Sequence, residues 1–358
     1  MRENLLYQDK NEKVKTKTYI RLETCIPVVK AYHNVAFVLA IICCREENAE
    51  WFFSNFINLY SNLDSNNNLS VNYDVQFFID EIYYLNRESM SMKNLDLFQI
   101  DIVKFFENML LNNRYICVYL DEYYIEFTMN YKLNHYEHEV LVIGIDIENK
   151  WFEVLCYGKD LKLDYRKITF EVFKMAYYSE YIHRDTPVMF FSYHSKLYRE
   201  KYKIDKAHIF SMIKYYLSSY NFFNIRRGIL YRKEDVNNKY GIEIYSDFEI
   251  YLSNIAEGHK NGKIQKIELL PFYVLFEHKE NMERRIYFLY KMGYIEEKYI
   301  VEYEEIVKEA RIILNLTIKY NMQVEKNAYC DKYLRNLIKM IEDIRKKEVN
   351  ILKKMSET

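Results

Sequence analysis

The stretch at residues 28–44, VVKAYHNVAFVLAIICC, carries apolar side chains on nearly every face of a helix. A helix that is apolar all round has to be enclosed by other elements. No uninterrupted apolar run in the chain reaches the length of a bilayer span, so the enclosure must be protein and no membrane is expected as a partner. Just before this stretch, Pro27 suits a first helical turn, where its missing N–H costs nothing. Residues 14–22, VKTKTYIRL, alternate enough to predict a short strand running into Glu23, Thr24 and Cys25. The expectation is a strand, then Cys25, then a buried central helix whose positive dipole end lies beside the thiol.

Further along, apolar spacing predicts helices at 49–60, 75–85 and 97–111, with the loop SNLDSNNNLS between the first two. Strands follow at 114–120, 139–145 and 151–157, the last two joined by a hairpin-like turn, then a helix at 169–178 and a strand at 188–193. From residue 204 the pattern is helical throughout, at 204–220, 242–256, 269–290, 297–320 and 328–354. At 358 residues the chain fits two domains. The expected organisation is α+β: residues 1–200 with a central helix packed on an antiparallel sheet, and residues 201–358 all-α.

Several function classes lose support. The 51 basic and 52 acidic side chains leave a net charge of −1 with no basic stripe, so no nucleic-acid partner is expected. The N-terminal MRENLLYQDKNEKVKTK is charged and lacks the apolar core of a signal peptide, which points to the cytoplasm. Six cysteines include no C-x-x-C pair and read as buried thiols in a reducing compartment, not as bridges or zinc ligands. There is no G-x-S-x-G elbow, no phosphate loop and no dinucleotide fingerprint, so no cofactor is expected.

Two residues remain as candidates for chemistry. Cys25 taken alone is a small buried hydrophobe, but at a helix start beside an imidazole it would be a thiolate nucleophile. His138, in NHYEHEVLVIGID, heads a β-branched strand, a rigid place from which to aim a ring, and Gly144 permits the bend that follows. His135 lies three residues earlier, but no third ligand accompanies the two, so no metal is expected. His33 and His278 read as structural residues within helices.

Cys25, together with HEVLVIGIDIENKWFEVLCYGKD at 138–160, resembles the papain-like domain of the butirosin-biosynthesis acyltransferase family, related to C39-like cysteine peptidases. The segments GIEIYSDFEIYL and LLPFYVLFEHKENMERRIYFL are similar to the helical half of such proteins. The cysteine-protease-like amide-forming enzymes of closthioamide-type polythioamide assembly share this resemblance. It implies transfer of an acyl or peptidyl group from a phosphopantetheinylated carrier protein to a small amine, through an acyl-enzyme on Cys25 with His138 as base and acid. The family's third residue, an Asp or Asn after the histidine strand, falls here at Cys156, leaving Asp121 and Asp160 as replacements; Tyr19 or Arg21 stands where an oxyanion Gln would be sought. A C39-like peptidase and a non-catalytic papain-fold binding protein are the alternatives.

Overall fold

The computed structural model describes residues 5–74, 85–193, 205–221, 238–326 and 331–357. It divides into two compact units, Met1–Ala49 with Ile79–Tyr202, and Glu50–Phe78 with Lys203–Thr358. Both mix helix with antiparallel sheet, and the second is mainly helical.

In the first unit, β1 (Tyr7–Asn11) pairs with β4 (Thr24–Pro27), and α1 (His33–Ile42) packs on β4. Val35 to Ile42 are all buried, as the all-round apolar pattern requires. Each large aliphatic side chain among them contributes on the order of 2 kcal/mol. The helix opens six residues after Pro27, not at it. Residues 24–27 instead extend along β1, with Lys10 opposite Cys25 and Tyr7 opposite Pro27, and the branched TCIPVV run favours that pairing over a helical turn.

The main sheet has eight strands, all antiparallel. Its spine runs β11 (Leu163–Thr169), β10 (Trp151–Tyr157), β9 (Glu137–Asp146), β8 (Tyr115–Asp121), β12 (Pro187–Tyr193), β7 (Leu85–Ser91). The short β2 (Val14–Lys15) pairs with β3 (Tyr19–Arg21), and β3 with β9. Helices α3 (Met92–Leu97), α4 (Ile102–Leu111) and α5 (Phe170–Tyr177), with 3-10 turns at Glu46–Asn48 and Glu122–Tyr124, complete the described regular elements of this unit. The helix expected at 97–111 is α4, which starts only at Ile102, where Asp101 caps it by accepting from the N–H groups of Val103 and Lys104.

Strand β9 organises the sheet. One edge is shared, with β8 along Glu137 to Val142 and β3 along Gly144 to Asp146, while β10 holds the other edge from Leu141 to Asp146. A bulge at Ile143 makes the handover, and the Ile143 carbonyl accepts from the Leu22 N–H. At Gly144 the chain is crowded from both sides: a Cβ there would stand 2.8 Å from the Ile20 carbonyl oxygen and 3.3 Å from Glu153 Cβ. Arg21 and Glu153, both paired with Gly144, meet across it at 3.8 Å, and Tyr19 donates to Glu153 at 2.5 Å. Tyr19 and Arg21 thus brace the sheet through Glu153.

The second unit contains β5 (Leu59–Leu63), β6 (Leu69–Tyr73) and β13 (Lys239–Tyr240), with α6 (Lys206–Leu217), α7 (Ile244–Lys260), α8 (Leu269–Lys291), α9 (Lys298–Glu325) and α10 (Asp331–Ser356). The helix expected at 49–60 is the short α2 (Ala49–Ser54), and the loop SNLDSNNNLS includes the turn of a β5–β6 hairpin; most of the helix expected at 75–85 lies outside the described residues. Residues 50–78, expected in the first domain, are tied here by polar side chains on α8. Arg285 donates to the carbonyls of Phe53, Asn55 and Phe56, Asn281 to Phe56, and His278 Nε2 lies 2.8 Å from the Ile57 oxygen. Among the described residues, no helix is long and apolar enough to cross a membrane.

Replacing Gly144 by Ala should destabilise the first unit by about 1–3 kcal/mol, the ordinary range for overpacking. Urea unfolding read by circular dichroism checks this, and an unchanged midpoint would show that β3 yields without cost.

Candidate active site

The end of β8 carries two consecutive carboxylates that turn to opposite faces, and each takes a different histidine. Leu120 lies opposite His138 in the β8–β9 register, and Glu122, two residues on, opens a 3-10 turn at Glu122–Tyr124 that Asp121 caps. Glu122 Oε1 is 2.9 Å from His138 Nδ1, and Asn130 Nδ2 donates to Glu122 Oε2 at 2.6 Å. Asp121 turns the other way. It accepts from Ser179 Oγ at 2.6 Å, from the N–H groups of Tyr123 and Tyr136, and lies 2.7 Å from His135 Nδ1. The His135 ring stacks between Tyr181 at 3.7 Å and Tyr123 at 4.2 Å, which folds the 122–136 loop back onto the sheet.

Beyond Leu141 toward its start, β9 has lost β10 as a neighbour, and the first residue of α1 comes to His138 and Glu139. His33 Nε2 is 2.5 Å from Glu139 Oε2, and the His33 and His138 rings meet edge to face at 5.0 Å. The side chain of Glu139 is 5% exposed, whereas those of His33 and His138 are 33% and 23% exposed. Burial opposes the Glu139 charge, but the His33 ring, the Tyr119 hydroxyl and the nearby His138 outweigh it and hold the carboxyl below its ordinary value. Burial also opposes the Asp121 charge, and bonds from Ser179, His135 and two backbone N–H groups lower its carboxyl in the same way.

His138 turns Nδ1 toward the Glu122 carboxylate, which leaves Nε2 as its other ring nitrogen for proton exchange. What the arrangement can do is accept and return protons from two part-exposed, carboxylate-held imidazoles at the start of a buried helix.

The expected nucleophile is elsewhere. Cys25 sits in β4, fully buried, with Sγ 3.5 Å from the Ala40 carbonyl oxygen and 3.9 Å from that of Leu39. Those carbonyls lie six and seven residues beyond His33, about 9 Å or more along the helix. Burial pushes the Cys25 thiol well above its ordinary value, with Cys43 and Cys44 adding to the effect. The helix start expected for Cys25 is thus corrected to a buried place in β4, because the strand pairing of residues 24–27 carries it away from the helix N-terminus. Asp121 orients His135 and not His138. Asp160 is half-exposed at the β10–β11 turn, 3.4 Å from Arg166, and orients neither. Cys156 is buried on β10 with its thiol pushed up to about 12 by burial, and Cys330 lies outside the described residues. Among the described residues, no group of three His, Cys, Asp or Glu side chains is arranged to hold a metal ion.

Glu122 is the residue that sequence reasoning did not name, and His33, read there as a structural helix residue, is the first residue of α1 beside His138. Nothing in YLDEYY alone separates Glu122 from Asp121; the two part only where β8 ends and the 3-10 turn begins. No family model and no curated protein matches this chain.

Two outcomes are expected. Iodoacetamide should label Cys25 in the folded protein far more slowly than in urea, read by peptide mass; labelling at the rate of a free thiol in the fold would contradict its burial. Because the folded carboxyls of Glu139 and Asp121 lie below their unfolded values, their stabilisation is complete only above about pH 6, declines as pH falls through the unfolded values and is lost through the lower folded ones. Thermal melts should therefore fall on that acid limb, and Glu139→Gln should flatten it; identical limbs would show that Glu139 titrates normally.

Proposed function

We propose that this chain has a papain-like, butirosin-acyltransferase-type first domain that transfers an acyl or peptidyl group from a carrier-bound thioester to an amine, with His138 as general base. The observation that carries the reading is the His138–Glu122 pair at the opening of α1. The thioester and amine come from the sequence resemblance, and the acid–base geometry is what supports them. The transfer is direct. The amine nitrogen attacks the thioester carbonyl carbon as its proton passes to His138 Nε2, the C–S bond breaks, and the leaving thiolate takes that proton back. A thioester is already activated, so this route requires no acyl-enzyme.

A second reading, a non-catalytic binding protein of the same fold, draws on one observation. The helix opens on Tyr32 and His33, with no cysteine or serine at its first turn.

The test is amide formation from an acyl-pantetheine thioester with a panel of amines, followed by mass spectrometry. His138→Ala should lose on the order of a hundredfold or more in rate, Glu122→Gln should lose less, and Cys25→Ser should keep turnover. Acyl mass on Cys25 would restore the covalent route. Thioester binding without turnover in the wild type would favour the second reading.

A further inference from the structure

Next to the acid–base pair, two ammonium groups gather on one aromatic ring. Lys132 Nζ stands 5.1 Å and Lys159 Nζ 5.4 Å from the centroid of Tyr131. Among the described residues, neither has a carboxylate within ion-pair distance, whereas Lys104, Lys266, Lys298 and Lys308 each hold a glutamate at 2.6–2.8 Å. Asp160, the acidic side chain adjacent to Lys159 in sequence, is engaged by Arg166 at 3.4 Å and Lys162 at 4.0 Å.

The fold builds this meeting from two segments. Lys132 donates its N–H to the Tyr123 carbonyl within the 122–136 loop, and Lys159 donates its N–H to the Phe127 carbonyl, binding the β10–β11 turn to that loop. Lys132 and Leu161 both adopt left-handed backbone, at φ 53° and 57°, which is costly for bulky residues. Leu133, next to Lys132 in the chain, and Leu161, two residues after Lys159, are 73% and 66% exposed. The tie to the acid–base pair is short: Asn130, which precedes Tyr131, donates to the Glu122 carboxylate that holds His138.

Two like charges that each lie within 5.4 Å of one ring centroid repel each other, and cation–π attraction at an exposed site offsets little of that. A single anion bearing two or more charged oxygens relieves both at once. We propose that Lys132 and Lys159, over Tyr131, form the phosphate subsite for a phosphorylated pantetheine arm of the acyl donor, with Leu133 and Leu161 flanking the arm. The assignment rests on the thioester reading above and names how that donor is held.

The test is calorimetric titration of the full chain with phosphopantetheine, pantetheine and coenzyme A, at low and high ionic strength. Phosphopantetheine should bind at least tenfold tighter than pantetheine, and more weakly as salt rises. Lys132→Gln and Lys159→Gln should each cost about tenfold, the size of one charged contact, and the double variant about a hundredfold. Both side chains are exposed, so melting curves should show the variants folded. Coenzyme A binding like phosphopantetheine supports an arm-only contact, and tighter binding supports the same subsite with a free thioester as its source.

Equal affinity for pantetheine and phosphopantetheine, an unaffected double variant, or no binding would each overturn the subsite. His138→Ala should bind phosphopantetheine as the wild type does. Binding without aminolysis therefore sinks the reaction and keeps the subsite, while aminolysis indifferent to the phosphate does the reverse.

Discussion

Gly144 is where the first unit is locked together. It lets β9 give one edge to β8 and then to β3 while β10 holds the other, and the missing side chain allows Arg21 and Glu153 to meet over the backbone. The bulge at Ile143 resets the strand between the two partners. Everything on the site side follows from this. With its far end clamped, β9 presents His138 and Glu139 from a rigid strand, at the point where β10 no longer covers it and α1 begins.

The end of β8 then decides which carboxylate meets His138. Asp121 and Glu122 are neighbours of the same charge, yet one secures the loop through His135 and Ser179 while the other lies against His138. Asp121 closes the strand and caps the 3-10 turn that Glu122 opens, so the assignment is sensitive to where the strand ends. Cys25 shows the same sensitivity. As the start of a helix it would be a nucleophile, and as the second residue of β4 it is a buried thiol bonded to helix carbonyls.

The second unit reaches the same end by a different device. Glu348 on α10 accepts from Tyr303 on α9, Tyr245 on α7, Tyr216 on α6 and Lys279 on α8, so five helices contribute to one buried carboxylate. Burial, the largest influence on Lys279, lowers its ammonium, and Glu348 works against that. Such a pair adds little net stability compared with apolar packing, but losing one partner leaves a buried charge at a cost of about 3–5 kcal/mol. The polar residues of α8, including His278 and Arg285, also explain why residues 50–78 leave the first unit: their carbonyls are the acceptors those buried donors require.

Local pattern carried much of the architecture. The strand at 151–157 is Trp151–Tyr157, the helix expected at 269–290 is Leu269–Lys291, and the all-round apolar character of α1 foretold its burial. These features depend on periodicity within one segment, which the sequence states outright. The helix start at His33, the membership of residues 50–78, and the choice of Glu122 over Asp121 depend instead on which strand pairs with which, and in what register. Pairing energies are summed between segments far apart in the chain, so only the tertiary structure could decide them. The histidine candidate was therefore legible in the sequence, while its carboxylate partner and the structural place of Cys25 were not.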